Sequence, residues 1–192
     1  MFDIIKSFFN KKNGSAPQLE ITPIAIQADA DVSEASACDD YFLNELEVCP
    51  YIKVEAREKV LDHLRHKVSL LKTGNKLTLE EKKELGVNPR LSITKEFLEV
   101  LTVEGLALSN PKQMLEDIYN KATIEKLRDD SFAKSIKIGI KQYTLEGALS
   151  DSCKWCTDSN GKKFGLDIMD KLKENCECKP YSKCYIAPVI KF

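Results

Sequence analysis

Histidine, tryptophan and an excess of either charge are what this chain has least of. Two histidines and one tryptophan occur among 192 residues, and 29 Lys+Arg stand against 30 Asp+Glu. So even a balance excludes the bulk electrostatics of a nucleic-acid binder, which shows a basic excess or a basic face. No run of about 18 apolar residues occurs, so no segment reads as a membrane span. The apolar start, residues 1–9, is broken by Asp3 and Lys6 and carries no cleavage pattern, which reads as no secretory signal. Also missing are H-E-x-x-H, G-x-S-x-G, a phosphate-binding glycine loop and G-x-G-x-x-G. The length fits one domain, or one domain with a small appendage, and is ample for a buried core.

Cysteine is what the chain does have. Five of its seven cysteines, Cys153, Cys156, Cys176, Cys178 and Cys184, fall in the last forty residues. The odd total, the clustering and the absent signal argue for a metal site in a reducing, cytoplasmic setting rather than a disulfide framework. Cys38 and Cys49 lie far away in sequence, in a helical context, and read as small buried hydrophobes.

Ahead of the cluster the pattern is helical. Residues 1–12 set Phe2, Ile5, Phe8 and Phe9 at helical spacing, followed by Lys11 and Lys12. Such a segment serves as a docking element or makes a weak contact with a membrane surface. Residues 13–36 hold two prolines and no periodicity, as a linker does. The stretch 20–52 carries eight acidic residues and no basic one, which argues against nucleic-acid contact there. Residues 54–72 form the clearest helix, with Val60, Leu61, Leu64, Val68 and Leu71 on one face and Gly74 as its stop. Thr78 and Glu81 make a capping box for a short helix that Gly86 ends. A third helix is expected over 94–104 before Gly105. A fourth starts at Asn110-Pro111, with Met114, Leu115, Ile118, Tyr119 and Ala122 facing inward.

Near residue 135 the period changes. Ile136, Ile138 and Ile140 alternate with polar or small residues, and Tyr143 and Leu145 continue the period of two, which predicts a strand. Residues 166–173 predict a short helix. Residues 185–192 predict a final strand that Pro188 confines to an edge. The expected fold class is therefore α+β, mainly α. Its divisions are an amphipathic segment and linker (1–36), a helical domain (37–134) and a small zinc-stabilised α/β module (135–192).

The chemistry resides in the cysteines. Cys153-Lys154-Trp155-Cys156 followed by Gly161 has the spacing of a zinc knuckle, in which a tight turn brings two thiolates to one ion. The returning ligands come from Cys176, Cys178 and Cys184; zinc takes four in a structural site, so one of Cys176 and Cys178 is expected to be spare. Trp155 reads as packing over the metal. A redox C-x2-C is the competing reading, but such pairs open a long helix after a buried strand, whereas Asp158-Ser159-Asn160-Gly161 is turn chemistry. His63 and His66 lie about 110° and about 170° from the apolar stripe of their helix, facing solvent. No catalytic residue emerges. A nucleic-acid role for the tail fares no better: residues 151–192 hold eight Lys and six Asp+Glu, and four thiolates on a divalent ion cancel that net charge of +2.

The tail also resembles the cysteine-rich C-terminal segment of phage head-morphogenesis (minor capsid) proteins and related bacterial proteins. Cys153, Cys156, Gly161, Lys162 and Phe164 match the first half of that pattern. Cys184, Tyr185, Pro188 and Val189 match its end, with Lys183 in the place of an arginine. Ser182 stands where the pattern has a cysteine, and Cys178 is additional. The resemblance spans about forty residues and implies phage or mobile-element ancestry, a structural role and no catalytic residues. The expectation is a non-enzymatic scaffold or interaction protein with a protein partner; the alternative is a thiol- or metal-dependent enzyme using Cys153 and Cys156.

Overall fold

A computed structural model describes residues 38–190. The amphipathic segment 1–12 and the linker 13–36 lie outside the described residues. The architecture is mainly helical with one small antiparallel sheet. The elements are α1 (Asp39–Val48), a 3-10 turn (Val54–Ala56), α2 (Arg57–Leu64), α3 (Leu79–Glu84), α4 (Lys95–Glu99), α5 (Val103–Leu106), α6 (Pro111–Lys137), β1 (Tyr143–Glu146), α7 (Lys154–Ser159), β2 (Lys163–Phe164), α8 (Ile168–Asn175) and β3 (Tyr185–Pro188).

The long helix α6 organises the rest. Pro111 occupies its first turn, where the missing N–H is no loss, and 27 residues at 1.5 Å each give about 40 Å of rod. Its first half buries Leu115, Ile118 and Ala122 against Phe42 and Leu46 of α1 and Val60, Leu61 and Leu64 of α2. Tyr119 stacks on Phe42, ring centroids 5.7 Å apart. The Lys121–Glu45 ion pair (2.7 Å) and the Tyr41 hydroxyl donating to Asp129 (2.8 Å) fix α1 along the rod. Cys38 and Cys49 are half-buried against this core, as small hydrophobes should be.

Three elements differ from the sequence pattern, each for a local reason. The helix expected over 54–72 stops at Leu64. His66 takes φ 60°, and the His66 and Lys67 amides donate to the His63 and Asp62 carbonyls. These two bonds form a Schellman cap with histidine in the position usually given to glycine. Beyond it Leu70 is buried and Val68 exposed, so the apolar spacing of 60–71 belongs to two segments rather than one face. The helix expected over 94–104 splits into α4 and α5. Leu101 leaves the helix to bridge Ile52, and Thr102 caps a new turn by accepting from the Gly105 amide (3.1 Å). Gly105, expected as a stop, lies buried within α5. Finally, α6 runs on through Ile136 to Lys137 and closes at Gly139 (φ 86°). Here the Gly139 and Ile140 amides reach the Ile136 and Ser135 carbonyls. The strand begins only at Tyr143; Ile136 and Ile138 are exposed, which is why their alternation with lysine misleads.

The sheet has the order β2-β1-β3, with Leu145 opposite Ile186 and Tyr143 opposite both Phe164 and Pro188. Pro188 sits on an outer strand, where its absent N–H breaks no ladder. Tyr143 and Leu145 point into the molecule, at 1% and 0% exposure. The Tyr143 hydroxyl pairs with Ser135 Oγ (2.9 Å) and its ring packs on Phe132 (4.8 Å), so the second half of α6 carries the sheet as the first half carries α1.

Candidate metal centre

Four sulfurs converge in the small core that Leu145 of β1 helps to form. Cys153 is the N-cap of α7 in an extended conformation, and one helical turn later Cys156 is wholly buried. The C-x2-C pair therefore opens a helix, as a redox pair would, but α7 is six residues long and ends at Asn160-Gly161 (φ 74°) in the turn chemistry that the sequence shows. The other two sulfurs come from the end of α8. Cys176 caps that helix, its amide reaching the Leu172 carbonyl (3.0 Å), and leaves it extended. Alternate residues of an extended segment face the same way, so Cys176 and Cys178 both turn inward and Glu177 turns out.

The Sγ atoms of Cys153, Cys156, Cys176 and Cys178 all lie within 4.8 Å of one another. Cys156 Sγ is 3.5 Å from Cys176 Sγ and 3.7 Å from Cys178 Sγ. A tetrahedral ion with 2.3 Å metal–sulfur bonds needs sulfur–sulfur edges of about 3.8 Å. The thiols are free, and these separations are far beyond a bonded disulfide. Among the described residues this is the one group of His, Cys, Asp or Glu side chains set closely enough to hold a metal ion.

The surroundings suit thiolates. The Cys153 amide donates to Cys178 Sγ (3.2 Å) and the Glu177 amide to Cys153 Sγ (3.4 Å). Burial pushes the Cys153 thiol up, but hydrogen bonds from the Cys156 and Glu177 amides and from the Cys156 and Cys178 thiols together more than offset it and hold it at about 7. Burial dominates at Cys156 and Cys178 and raises both. Leu145, Leu172, Trp155 and Phe164 wall the quartet, Trp155 and Phe164 with ring centroids 6.3 Å apart. Trp155 thus packs over the cluster in the manner expected.

Of the five cysteines named from the sequence, the fold brings four together, Cys176 and Cys178 both among them. Cys184, wholly buried at the entry to β3, packs in the same small core but stands outside the group of four. Ser182 is its neighbour: the Ser182 hydroxyl accepts from the Cys184 amide (3.3 Å) and lies 3.9 Å from Cys156 Sγ. The histidines do not join. His63 Nδ1 accepts from the Leu70 amide (3.4 Å) in the turn after α2, and His66 lies against Tyr119. One participant had no sequence signal. Arg128, in the middle of α6, sends Nη2 to the carbonyls of Ser182 (3.0 Å) and Cys184 (2.9 Å), behind the quartet. No family model, curated protein or solved structure matches the chain. No helix among the described residues is long and apolar enough to cross a membrane.

Proposed function

We propose that this protein is a non-enzymatic, zinc-stabilised scaffold or interaction protein of bacterial or phage/mobile-element origin, working in the cytoplasm through a protein partner. The observation that carries the metal is the convergence of four free thiols, all within 4.8 Å of one another, inside an apolar wall. Zinc is the ion that a closed, four-thiolate site without an open coordination position suits best. A structural role follows from the size of the C-terminal part. Its buried hydrophobic residues are Tyr143, Leu145, Cys156, Ile168, Met169, Leu172 and Cys184 with a few half-buried neighbours, a small core for a sheet and two short helices without a staple. A structural zinc site supplies on the order of 10 kcal/mol, enough to close the nineteen residues between Cys156 and Cys176.

Elemental analysis of protein purified without chelator tests the metal, with one zinc per chain expected; less than about 0.2 per chain would refute it. Capsid or portal genes beside this one would support the phage assignment, and their absence together with a metabolic neighbourhood would count against it. One observation favours a second reading, a thiol enzyme: Cys153 opens α7 with Cys156 buried one turn behind it, the arrangement of a redox pair. Reversible dithiol–disulfide cycling of Cys153 with Cys156 at physiological potential would move the assignment there.

A further inference from the structure

We propose that Arg128 is the half-buried counter-cation of an anionic metal–tetrathiolate centre, and that through it occupancy of the centre is coupled to helix α6. This rests on the metal reading above.

A half-buried guanidinium is favoured by an opposite charge close by, because leaving such a group unpaired is costly. Arg128 has none in direct contact. No carboxylate of the described residues forms an ion pair with it, and its Nε is buried without a hydrogen-bond partner. Its bonds go to two neutral carbonyls, those of Ser182 and Cys184. The carboxylates that act on it electrostatically, Glu125 and Asp129, belong to its own helix and do not pair with it directly. Asp129 accepts from the Tyr41 hydroxyl, and Glu125 is half-buried one turn away, its carboxyl pushed up by burial. The cavity between α6 and the end of α8, about 430 Å³, is lined by Arg128, Glu125, Cys176, Cys178, Lys173 and Lys179. Lys173 and Lys179 are exposed there, whereas Arg128 is not. Lys121, also on this wall, is taken by Glu45.

Four thiolates on a divalent ion carry a net charge of −2. Two of the sulfurs, those of Cys176 and Cys178, line the same cavity as Arg128, and the charge adds to what the carboxylates of α6 supply. A neutral set of thiols would leave the guanidinium only Glu125 and Asp129, so Arg128 favours the metal-bound state over the empty one. The geometry also says what kind of ion fits. A divalent, thiophilic ion gives the −2 centre that Arg128 neutralises in part, and Cd²⁺ or Co²⁺ should replace Zn²⁺ with the same dependence on Arg128. Because Arg128 belongs to the helix that carries α1 at its other end, loss of the ion should be felt along α6.

Full-chain wild type, Arg128→Gln and Arg128→Lys are titrated with Co²⁺ and then competed with Zn²⁺ and a chromophoric chelator. Thiolate-to-cobalt charge-transfer absorption in the wild type reports the quartet itself, and its absence would sink the metal reading rather than the role of Arg128. With that absorption present, the expected result is zinc binding weakened at least about tenfold in Arg128→Gln, the scale of outer-shell losses, and largely restored in Arg128→Lys. Equal weakening in both variants would show a role in positioning the Ser182–Cys184 segment, and unchanged affinity in Arg128→Gln would show none; either overturns the proposal. A wild-type measurement covers the case in which Arg128→Gln does not fold. Amide exchange at residues 124–132 of α6 should speed up at least about tenfold when the ion is removed by chelator, and unchanged exchange there would overturn the coupling.

Discussion

Gly105→Ala gives the sharpest test of the packing, because helix propensity and tertiary structure predict opposite signs. Gly105 lies in α5 with helical backbone, so on propensity alone alanine should stabilise by about 1 kcal/mol. The fold says otherwise. A Cβ at this position would fall on the carbonyl oxygen of Tyr51, inside any distance that real Cβ atoms tolerate, and 3.2 Å from Leu101 Cβ. The obstructing group is backbone and is tied in place. The Thr102 amide donates to the Tyr51 carbonyl (3.0 Å), the Thr102 hydroxyl donates to the Pro50 carbonyl (2.9 Å), and Ile52 bridges Leu101. Relief therefore requires moving α5 away from the 50–52 turn and opening the packing around Ile52 and Leu101, both nearly sealed from water. Overpacking of this kind costs about 1–3 kcal/mol, and a rigid backbone neighbour places it at the upper end. After the propensity gain, the net loss is about 2 kcal/mol, a roughly thirtyfold rise in the unfolding equilibrium constant. Urea unfolding followed by far-ultraviolet circular dichroism should show a lower midpoint at unchanged m-value. Gly86→Ala is the control: nothing lies near its Cβ, and its φ of 66° alone should cost about 1 kcal/mol. A Gly105→Ala protein as stable as the wild type, or more so, would refute the placement of α5 against Tyr51.

Thr94→Val should destabilise by about 1–3 kcal/mol in the same assay, since the wholly buried Thr94 hydroxyl both donates to the Leu70 carbonyl and caps α4 by accepting from the Phe97 amide (3.2 Å). Tyr143→Phe should cost about 1 kcal/mol, because Ser135 Oγ keeps its bond to the Phe132 carbonyl (2.7 Å) and loses only the phenol; a cost above about 3 kcal/mol would contradict that bookkeeping. Burial lowers the pKa of His63 in the folded protein, so below the ordinary value the unfolded chain takes up the proton first, and stability should fall as the pH drops from 7 through 6.5. His63→Gln should flatten that part of the stability–pH curve, and an unchanged slope would exclude His63 as its source. Cys153→Ser, Cys156→Ser, Cys176→Ser and Cys178→Ser should each release the metal and expose the C-terminal part to protease, whereas Cys184→Ala should keep the metal; zinc content per chain decides between these outcomes.

What could be read from the sequence was the chemistry that acts within a few residues. The Thr78–Glu81 capping box forms with both of its reciprocal bonds, Pro111 begins α6, and Pro188 lies on an edge strand, because each depends on local backbone geometry. The errors arose where a distant contact outweighed a local pattern. The stripe from Val60 to Leu71 reads as one helix unless it is known that His66 adopts the left-handed conformation and packs at a tilt against Tyr119, fifty-three residues away. Residues 94–104 read as continuous because nothing nearby reveals that Leu101 leaves to bridge Ile52. Around residue 137 the two periods overlap, and α6 persists because Ser135 has a partner in Tyr143 beyond the turn.

The cysteines show both sides of this. Composition and spacing identified the cluster, and the alternation of an extended segment, had it been applied to C-x-C, would have turned Cys176 and Cys178 to the same side. Cys184 is a different matter, since its position depends on strand pairing. It enters β3 one residue before the Tyr185–Glu146 pair, and the register Leu145–Ile186 sets its neighbours on β1. Its amide is held by Ser182 and its carbonyl by Arg128, which together turn the residue into the small core beside Cys156 rather than into the group of four. Neither partner is marked by spacing: Ser182 is the position at which the phage-like pattern has a cysteine, and Arg128 lies fifty-six residues upstream. If Ser182→Cys placed a fifth thiol beside Cys156, it would compete with Cys178 for the ion, and a Ser182→Cys/Cys178→Ser double variant should then hold zinc where Cys178→Ser alone does not. Failure of the double variant to hold zinc would show that 3.9 Å from Cys156 is not a ligating position and that the quartet is set by the C-x-C alternation alone.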